Sequence, residues 1–158
     1  MRLLKLPTLL VSIFSTVLFI SCNKINIDVQ NHYAGKALIM SGVQEIPVVT
    51  TTATGTIDAD YSKLTKVLTY KIAWSGLSGN ALQAHIHGTA EIGFTAGVLQ
   101  SFLNFPAATS GTFSGSLLID GFKITEEDLL AGRYYANIHT ALNPKGEIKG
   151  QILLLPVQ

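Results

Sequence analysis

The sequence predicts an all-β domain, a sandwich or barrel of short antiparallel strands, and three observations predict it. Short runs alternate apolar and polar side chains with period two. Turn residues separate those runs at intervals of roughly 8–12 positions, the spacing of a sandwich or barrel. Only one segment carries a helical signal. The turns are Ser41-Gly42, Ser75-Gly76, Ser78-Gly79-Asn80, Ser110-Gly111 and Asn143-Pro144-Lys145-Gly146.

The runs follow in order. Leu68, Tyr70, Ile72 and Trp74 alternate with Val67, Thr69, Lys71 and Ala73. Leu82, Ala84 and Ile86 alternate with Gln83, His85 and His87. Tyr134, Ala136 and Ile138 alternate with Tyr135, Asn137 and His139. Ile148, Gly150, Ile152 and Leu154 alternate with Glu147, Lys149, Gln151 and Leu153. In each run one face can join a core and the other is expected to stay out of it. Thr125 is placed to cap a helix of one or two turns through Glu126, Glu127, Asp128, Leu129 and Leu130, ended by Gly132. Its acidic first turn suits the helix dipole, and its expected role is to bridge two sheets.

The chain also echoes itself. Ala84-His85-Ile86-His87-Gly88-Thr89-Ala90 is similar to Ala136-Asn137-Ile138-His139-Thr140-Ala141. Gly111-Thr112-Phe113-Ser114-Gly115 is similar to Gly146-Glu147-Ile148-Lys149-Gly150. These glycines fall on the core-facing parity, where they admit close backbone approach or a bulge.

The N-terminus reads differently. Arg2 and Lys5 precede an apolar stretch from about Leu9 to Ile20, then Ser21 and Cys22. That is the pattern of a secretory signal. The apolar run is too short for a comfortable membrane span, which needs about 20 residues. Phe19-Ile20-Ser21-Cys22 resembles the lipobox of bacterial lipoproteins, with Phe19 in place of the usual leucine. The resemblance implies a lipid on Cys22, the single cysteine of the chain. Lipidation also accounts for an exported protein with one unpaired thiol, and two or more acyl chains anchor firmly. Asn23 stands where an aspartate is associated with inner-membrane retention, so the outer membrane is favoured over the inner. The expected organisation is a signal peptide over 1–21, a lipidated polar tether over 22–34 that contains His32, and a β domain over 35–158.

Without Arg2 and Lys5, nine basic residues face ten acidic ones. No basic stripe exists to grip phosphates, which argues against a nucleic-acid partner. Length from 22 to 158 fits one ordinary domain.

His85 and His87 are two apart on one predicted strand, so they share a face. His139 sits on the polar parity of its own strand. If those strands are neighbours, or face each other around a barrel mouth, three imidazoles converge, a familiar plan for zinc that also suits copper. Glu45, Asn137 or Glu147 then completes a first or second shell of ligands. The competing reading is a hydrogen-bonded polar face in which the imidazoles pin a loop such as 88–97. Hydrolase readings fare worse. There is no Gly-x-Ser-x-Gly elbow, and a lipidated Cys22 is no nucleophile. Ser78 and Ser114 sit in turn-like contexts, and Glu126-Glu127-Asp128 reads as a solvated helix start. No Rossmann fingerprint or phosphate-cradling loop is present. A non-enzyme is therefore expected.

Four blocks together carry a family resemblance. They are Ser41-Gly42-Val43-Gln44-Glu45-Ile46-Pro47-Val48, Ala84-His85-Ile86-His87-Gly88, Gly132-Arg133-Tyr134-Tyr135-Ala136-Asn137-Ile138-His139-Thr140, and Asn143-Pro144-Lys145-Gly146-Glu147-Ile148-Lys149-Gly150-Gln151. In this order they resemble the CHRD domain, named from chordin and found in many microbial exported proteins. The resemblance spans about residues 35–155. It implies an immunoglobulin-like β-sandwich or barrel, here of about seven to nine antiparallel strands with one short helix, and little about mechanism. Lys149 stands where the family usually has arginine, and Ile46-Pro47-Val48 replaces the commoner Val-Pro-Pro. Lysine keeps the charge and loses the planar fork, so a bidentate pair with a carboxylate is not expected at 149.

Three functional expectations follow. The first is a non-enzymatic, lipid-anchored binding or structural protein of the cell envelope. The second is a copper- or zinc-binding domain built on His85, His87 and His139. The third is an adhesion module using loops 89–97 or 103–110, with Phe94, Phe102 and Phe105 as apolar contacts. The simpler expectation for those three aromatics is a place in the core.

Overall fold

The computed structural model describes residues 31–157. The signal segment and Cys22 lie outside the described residues. Nine strands are present among them: β1 His32–Ser41, β2 Thr54–Ser62, β3 Val67–Ser75, β4 Gln83–His87, β5 Val98–Ser101, β6 Gly111–Leu118, β7 Tyr135–His139, β8 Ile148–Gln151 and β9 Leu155–Pro156. They form one antiparallel sheet in the order β5-β4-β7-β8-β1-β2-β3-β6, with β9 paired to β1.

The sheet curls until its two end strands nearly meet. Gln100 on β5 closes the gap with its side chain. It donates from Nε2 to the Ser116 carbonyl of β6 at 2.8 Å and accepts at Oε1 from the Tyr70 hydroxyl at 2.8 Å. One amide thus takes the place of a strand-to-strand ladder, and the all-β expectation becomes a nearly closed barrel.

The alternation read in the sequence decides what lies inside. Leu68, Tyr70, Ile72 and Trp74 of β3 are buried, as are Ile57, Ala59 and Tyr61 of β2 and Ala136 and Ile138 of β7. Phe102 stacks between Tyr70 and Phe113, with ring centroids 5.3 and 4.9 Å away. Phe105 meets Trp74 edge-on, and Trp74 Nε1 donates to the Ala108 carbonyl at 3.1 Å. Phe102 and Phe105 are therefore core, as the simpler reading expected, whereas Phe94 is exposed.

Glycine makes room for two of these rings. Gly115 lies opposite Tyr70 and Gly111 opposite Trp74 across the β3–β6 pair. A Cβ on Gly111 would stand 2.7 Å from Trp74. The echoing segments around His85 and Asn137 are adjacent antiparallel strands, with His85 directly opposite Asn137.

The expected helix, α1, spans Glu126–Leu130. Thr125 caps it by accepting from the Asp128 amide, and Gly132 leaves it at φ +71°. Its first residue reaches back to the barrel: Glu126 Oε2 accepts from the Tyr61 hydroxyl at 2.6 Å and from Lys66 Nζ at 2.8 Å.

Two details differ from the sequence reading. β1 begins at His32, inside the stretch read as tether, because β2 and β9 both offer it partners: His32 pairs with Ser62, and Tyr33 with Pro156. Strands β7 and β8 are buried on both faces, although one face of each was expected to stay out of the core. The cover is the loop over residues 88–97. Gln151 donates to the Ala90 carbonyl at 3.0 Å, Lys149 Nζ to the Phe94 carbonyl at 2.6 Å, and the Ala96 amide to the Tyr135 hydroxyl at 3.0 Å.

Candidate metal centre

The outer face of β4, β7 and β8 carries the polar residues that this loop covers. His85 and Asn137 are opposite each other, Asn137 and Lys149 are opposite, and Lys149 is opposite Ser41 of β1. His87 and His139 flank that row on the same face. Period two on two neighbouring strands therefore brings the three histidines together, as expected from parity.

Their rings are close. Centroids lie 4.9 Å apart for His85–His139, 5.4 Å for His85–His87 and 6.5 Å for His87–His139. One nitrogen from each ring can be chosen so that all three lie within 4.8 Å of one another. His87 and His139 are buried, and His85 is half-buried.

The hydrogen bonds fix the tautomers. His87 Nδ1 is 3.0 Å from the Ala96 carbonyl and His139 Nδ1 is 3.1 Å from the Pro144 carbonyl. A carbonyl can only accept, so both Nδ1 atoms carry hydrogen. In the neutral rings both Nε2 atoms are then bare lone pairs. Both point at one place. Asn137 Oδ1 is 3.0 Å from His87 Nε2 and 3.0 Å from His139 Nε2, and His85 Nδ1 is 3.0 Å from His139 Nε2. Two imidazole lone pairs thus face an amide oxygen with no proton of their own between them.

Burial disfavours the charged form of two of the rings, His85 and His139. It pushes His85 down to about 4, and positive charge on His139 or His87 would push the same way. His139 is also lowered by burial, although its bond to the Pro144 carbonyl works against that.

The surrounding residues separate into three roles. Glu45 is buried, and Asn137 hydrogen-bonds its carboxylate. Among the described residues its Oε1 has no hydrogen-bond partner, and it lies against Gly146, which tolerates no Cβ there. Burial raises Glu45 to about 7, against the opposing pull of Lys149 and Asn137. Glu45 thus stands behind Asn137, as a residue orienting a ligand would.

Glu147 is different. Its Oε1 accepts from Thr51 Oγ1 at 2.8 Å and the Ser78 amide at 2.9 Å; its Oε2 accepts from Ser78 Oγ and Thr140 Oγ1, each at 2.6 Å. Those bonds overcome its burial and hold it at about 2. They tie a strand end to two loops, and none of them reaches a histidine.

Among the described residues Lys149 has no carboxylate partner within ion-pair distance. It donates to the Phe94 carbonyl and sits 3.9 Å from the centre of the Tyr135 ring, a cation–π arrangement. Burial lowers its pKa and Glu45 opposes that. One ammonium on one carbonyl needs no fork, consistent with lysine at this position.

The sequence reading had no role for Tyr135. Its ring lies flat on His87, with centroids 4.8 Å apart and planes 3° apart. It shares the parity of Asn137 and His139, which was the available signal. The two backbone carbonyls that orient the imidazoles, Ala96 and Pro144, belong to loops and carry no side-chain signal.

Fold and site define a small β-barrel with a partly covered histidine–amide cluster on its outer face. The chain belongs to the CHRD domain family, whose model matches residues 37–152. Comparison with curated proteins and with solved structures finds no match.

Proposed function

We propose that the chain is a non-enzymatic binding module of the bacterial cell envelope, exported and held to the membrane by lipid on Cys22, and that it binds zinc or copper through His85, His87 and His139. The supporting observation is the pair of bare Nε2 atoms directed at one point. Each is oriented by an Nδ1 hydrogen bond to a backbone carbonyl, the usual outer arrangement around a ligating histidine. A tetrahedral ion with bonds of about 2.0–2.1 Å holds its ligand atoms about 3.3 Å apart. Contacts of 3.0 Å from Asn137 Oδ1 to both Nε2 atoms, and from His85 Nδ1 to His139 Nε2, are close to that spacing. Asn137 Oδ1 is then the fourth ligand, and Glu45 orients the amide from behind.

A metal-free role is the competing reading, and Glu45 supports it. If the Asn137 amide turns over, its nitrogen donates to both Nε2 atoms. A neutral Glu45, reached at about pH 7, then donates to Oδ1. In that case the cluster only pins the loop over 88–97.

Cobalt(II) loading separates the two. The metal reading predicts the visible d–d bands of a tetrahedral ion in wild type and their loss in His139→Ala. The structural reading predicts no bands above those of free cobalt in either protein, with His139→Ala only less stable. Export and lipidation are tested by the intact mass of the membrane-extracted chain, which should show an acylated N-terminal cysteine and no residues 1–21.

A further inference from the structure

The chain enters the barrel at one end and displays the histidines towards the other. Lys63 donates its amide to the Asn31 carbonyl at 2.8 Å, so the tether leaves beside the β2–β3 turn. The loop following β6 lies against the same turn, because Ile119 donates to the Lys66 carbonyl at 2.8 Å. Each tip carries an exposed apolar side chain: Leu64 is 63% exposed and Phe122 is 94% exposed.

The Phe122 tip is stiff. Asp120 Oδ1 accepts from the amides of Phe122, Lys123 and Ile124 at 2.8, 2.9 and 2.9 Å, and Gly121 donates to the Ile124 carbonyl at 3.0 Å. Its backbone donors are therefore satisfied within the loop. Seating this tip in the headgroup layer leaves those amides bonded, which removes the part of the cost that comes from unpaired backbone donors, while the Asp120 carboxylate and Lys123 stay at the polar level of that layer.

The geometry points to a contact between this end of the barrel and the bilayer, with Phe122 and Leu64 seated in the headgroup region. The inference rests on the lipid anchor at Cys22. Exposed apolar residues also occur at the far end, where Ile46, Val48 and Leu142 surround the loops after β1 and β7. Reach decides between the two ends. β1 runs from His32 to Ser41, so the ends are separated by about 30 Å at roughly 3.3 Å per residue. Cys22 to Asn31 spans at most about 32 Å when fully drawn out. The far end meets the membrane only if that whole segment is stretched along the barrel wall, whereas the near end is already beside the anchor. Charge is nearly balanced at this end, with Glu126 between Lys63 and Lys66 and Asp120 beside Lys123. The contact is apolar, of the kind aromatic and aliphatic tips make with a membrane interface. It would hold the histidine face away from the lipid.

The test uses the full chain, extracted from membranes and reconstituted into vesicles of phosphatidylethanolamine and phosphatidylglycerol. Phe122→Cys, Leu64→Cys and Leu142→Cys each take an environment-sensitive fluorophore. The inference predicts several-fold stronger quenching by a shallow lipid-borne nitroxide at 122 and 64 than at 142, and the reverse order with a water-soluble quencher. Equal quenching at all three sites, in a chain that floats with the vesicles and carries an acylated Cys22, overturns the orientation and leaves the anchor standing. A chain that does not float and has an unmodified Cys22 overturns both.

Discussion

Replacing Glu147 with glutamine should cost the fold more than any other single-atom change in the polar network. The carboxylate is fully buried and takes four hydrogen bonds, from Thr51, Ser78 twice and Thr140. Those donors lower its pKa from the ordinary 4.5 to about 2. A carboxyl so depressed contributes about 3 kcal/mol at neutral pH. The sign follows from the direction of the change. The contribution is complete above pH 4.5 and is lost as pH falls through about 2, so about 1.4 kcal/mol remains at pH 3. In Glu147→Gln the amide nitrogen must face hydroxyls that formerly donated to an oxygen. The expected loss is about 2–3 kcal/mol at pH 7, a fall of roughly 10 °C in melting temperature for a domain of this size. Urea denaturation at pH 7 and pH 3 measures it. Wild type and variant should differ widely at pH 7 and by less than half as much at pH 3. A difference under about 0.5 kcal/mol at pH 7, the range of an ordinary surface change, would show that the four bonds do not hold Glu147 as described.

Other outcomes follow from the same contacts. Glu45 has the opposite sign: burial raises it to about 7, so its ionisation opposes folding increasingly above pH 4.5. Glu45→Gln should stabilise the metal-free domain by up to about 3 kcal/mol at pH 8 and by almost nothing at pH 4, read by denaturation at the two pH values. Asn137→Asp places a carboxylate oxygen beside both Nε2 atoms and should tighten zinc binding about tenfold or more, whereas Asn137→Ala should weaken it by a similar factor, both by competition with a chelator. Gly150→Ala would put a methyl group 2.7 Å from Met40 Cγ and 2.8 Å from the Ile39 carbonyl. The second neighbour is backbone and cannot swing away, so thermal melting should show a loss of about 1–3 kcal/mol.

The strands were legible because each is a local pattern. Parity placed His85 with His87 on one face of their strand and Asn137 with His139 on one face of theirs, the pairing of the two strands came from the structure, and Thr125 and Gly132 marked both ends of the helix. What escaped the sequence is non-local. Lys149 and Gln151 are buried because loop 88–97 folds over them, and nothing near residue 149 announces that cover. The hydroxyls that hold Glu147 come from Thr51, 96 positions away, and Ser78, 69 away, so no spacing rule gathers them. The start of β1 at His32 depends on β9, the last strand of the chain. Glu45 was singled out as a side chain able to complete a shell around the histidines, but its place behind Asn137 required the turn after β1 to meet Gly146.

The central claim is that His85, His87 and His139 hold one metal ion. Equilibrium dialysis of the full chain against zinc and against copper, followed by elemental analysis, tests it most directly. The account predicts one ion per chain for wild type and well under half that for His87→Ala at the same free metal concentration. Equal, sub-stoichiometric metal in the two proteins would contradict it and leave the three imidazoles as pins for the loop above them.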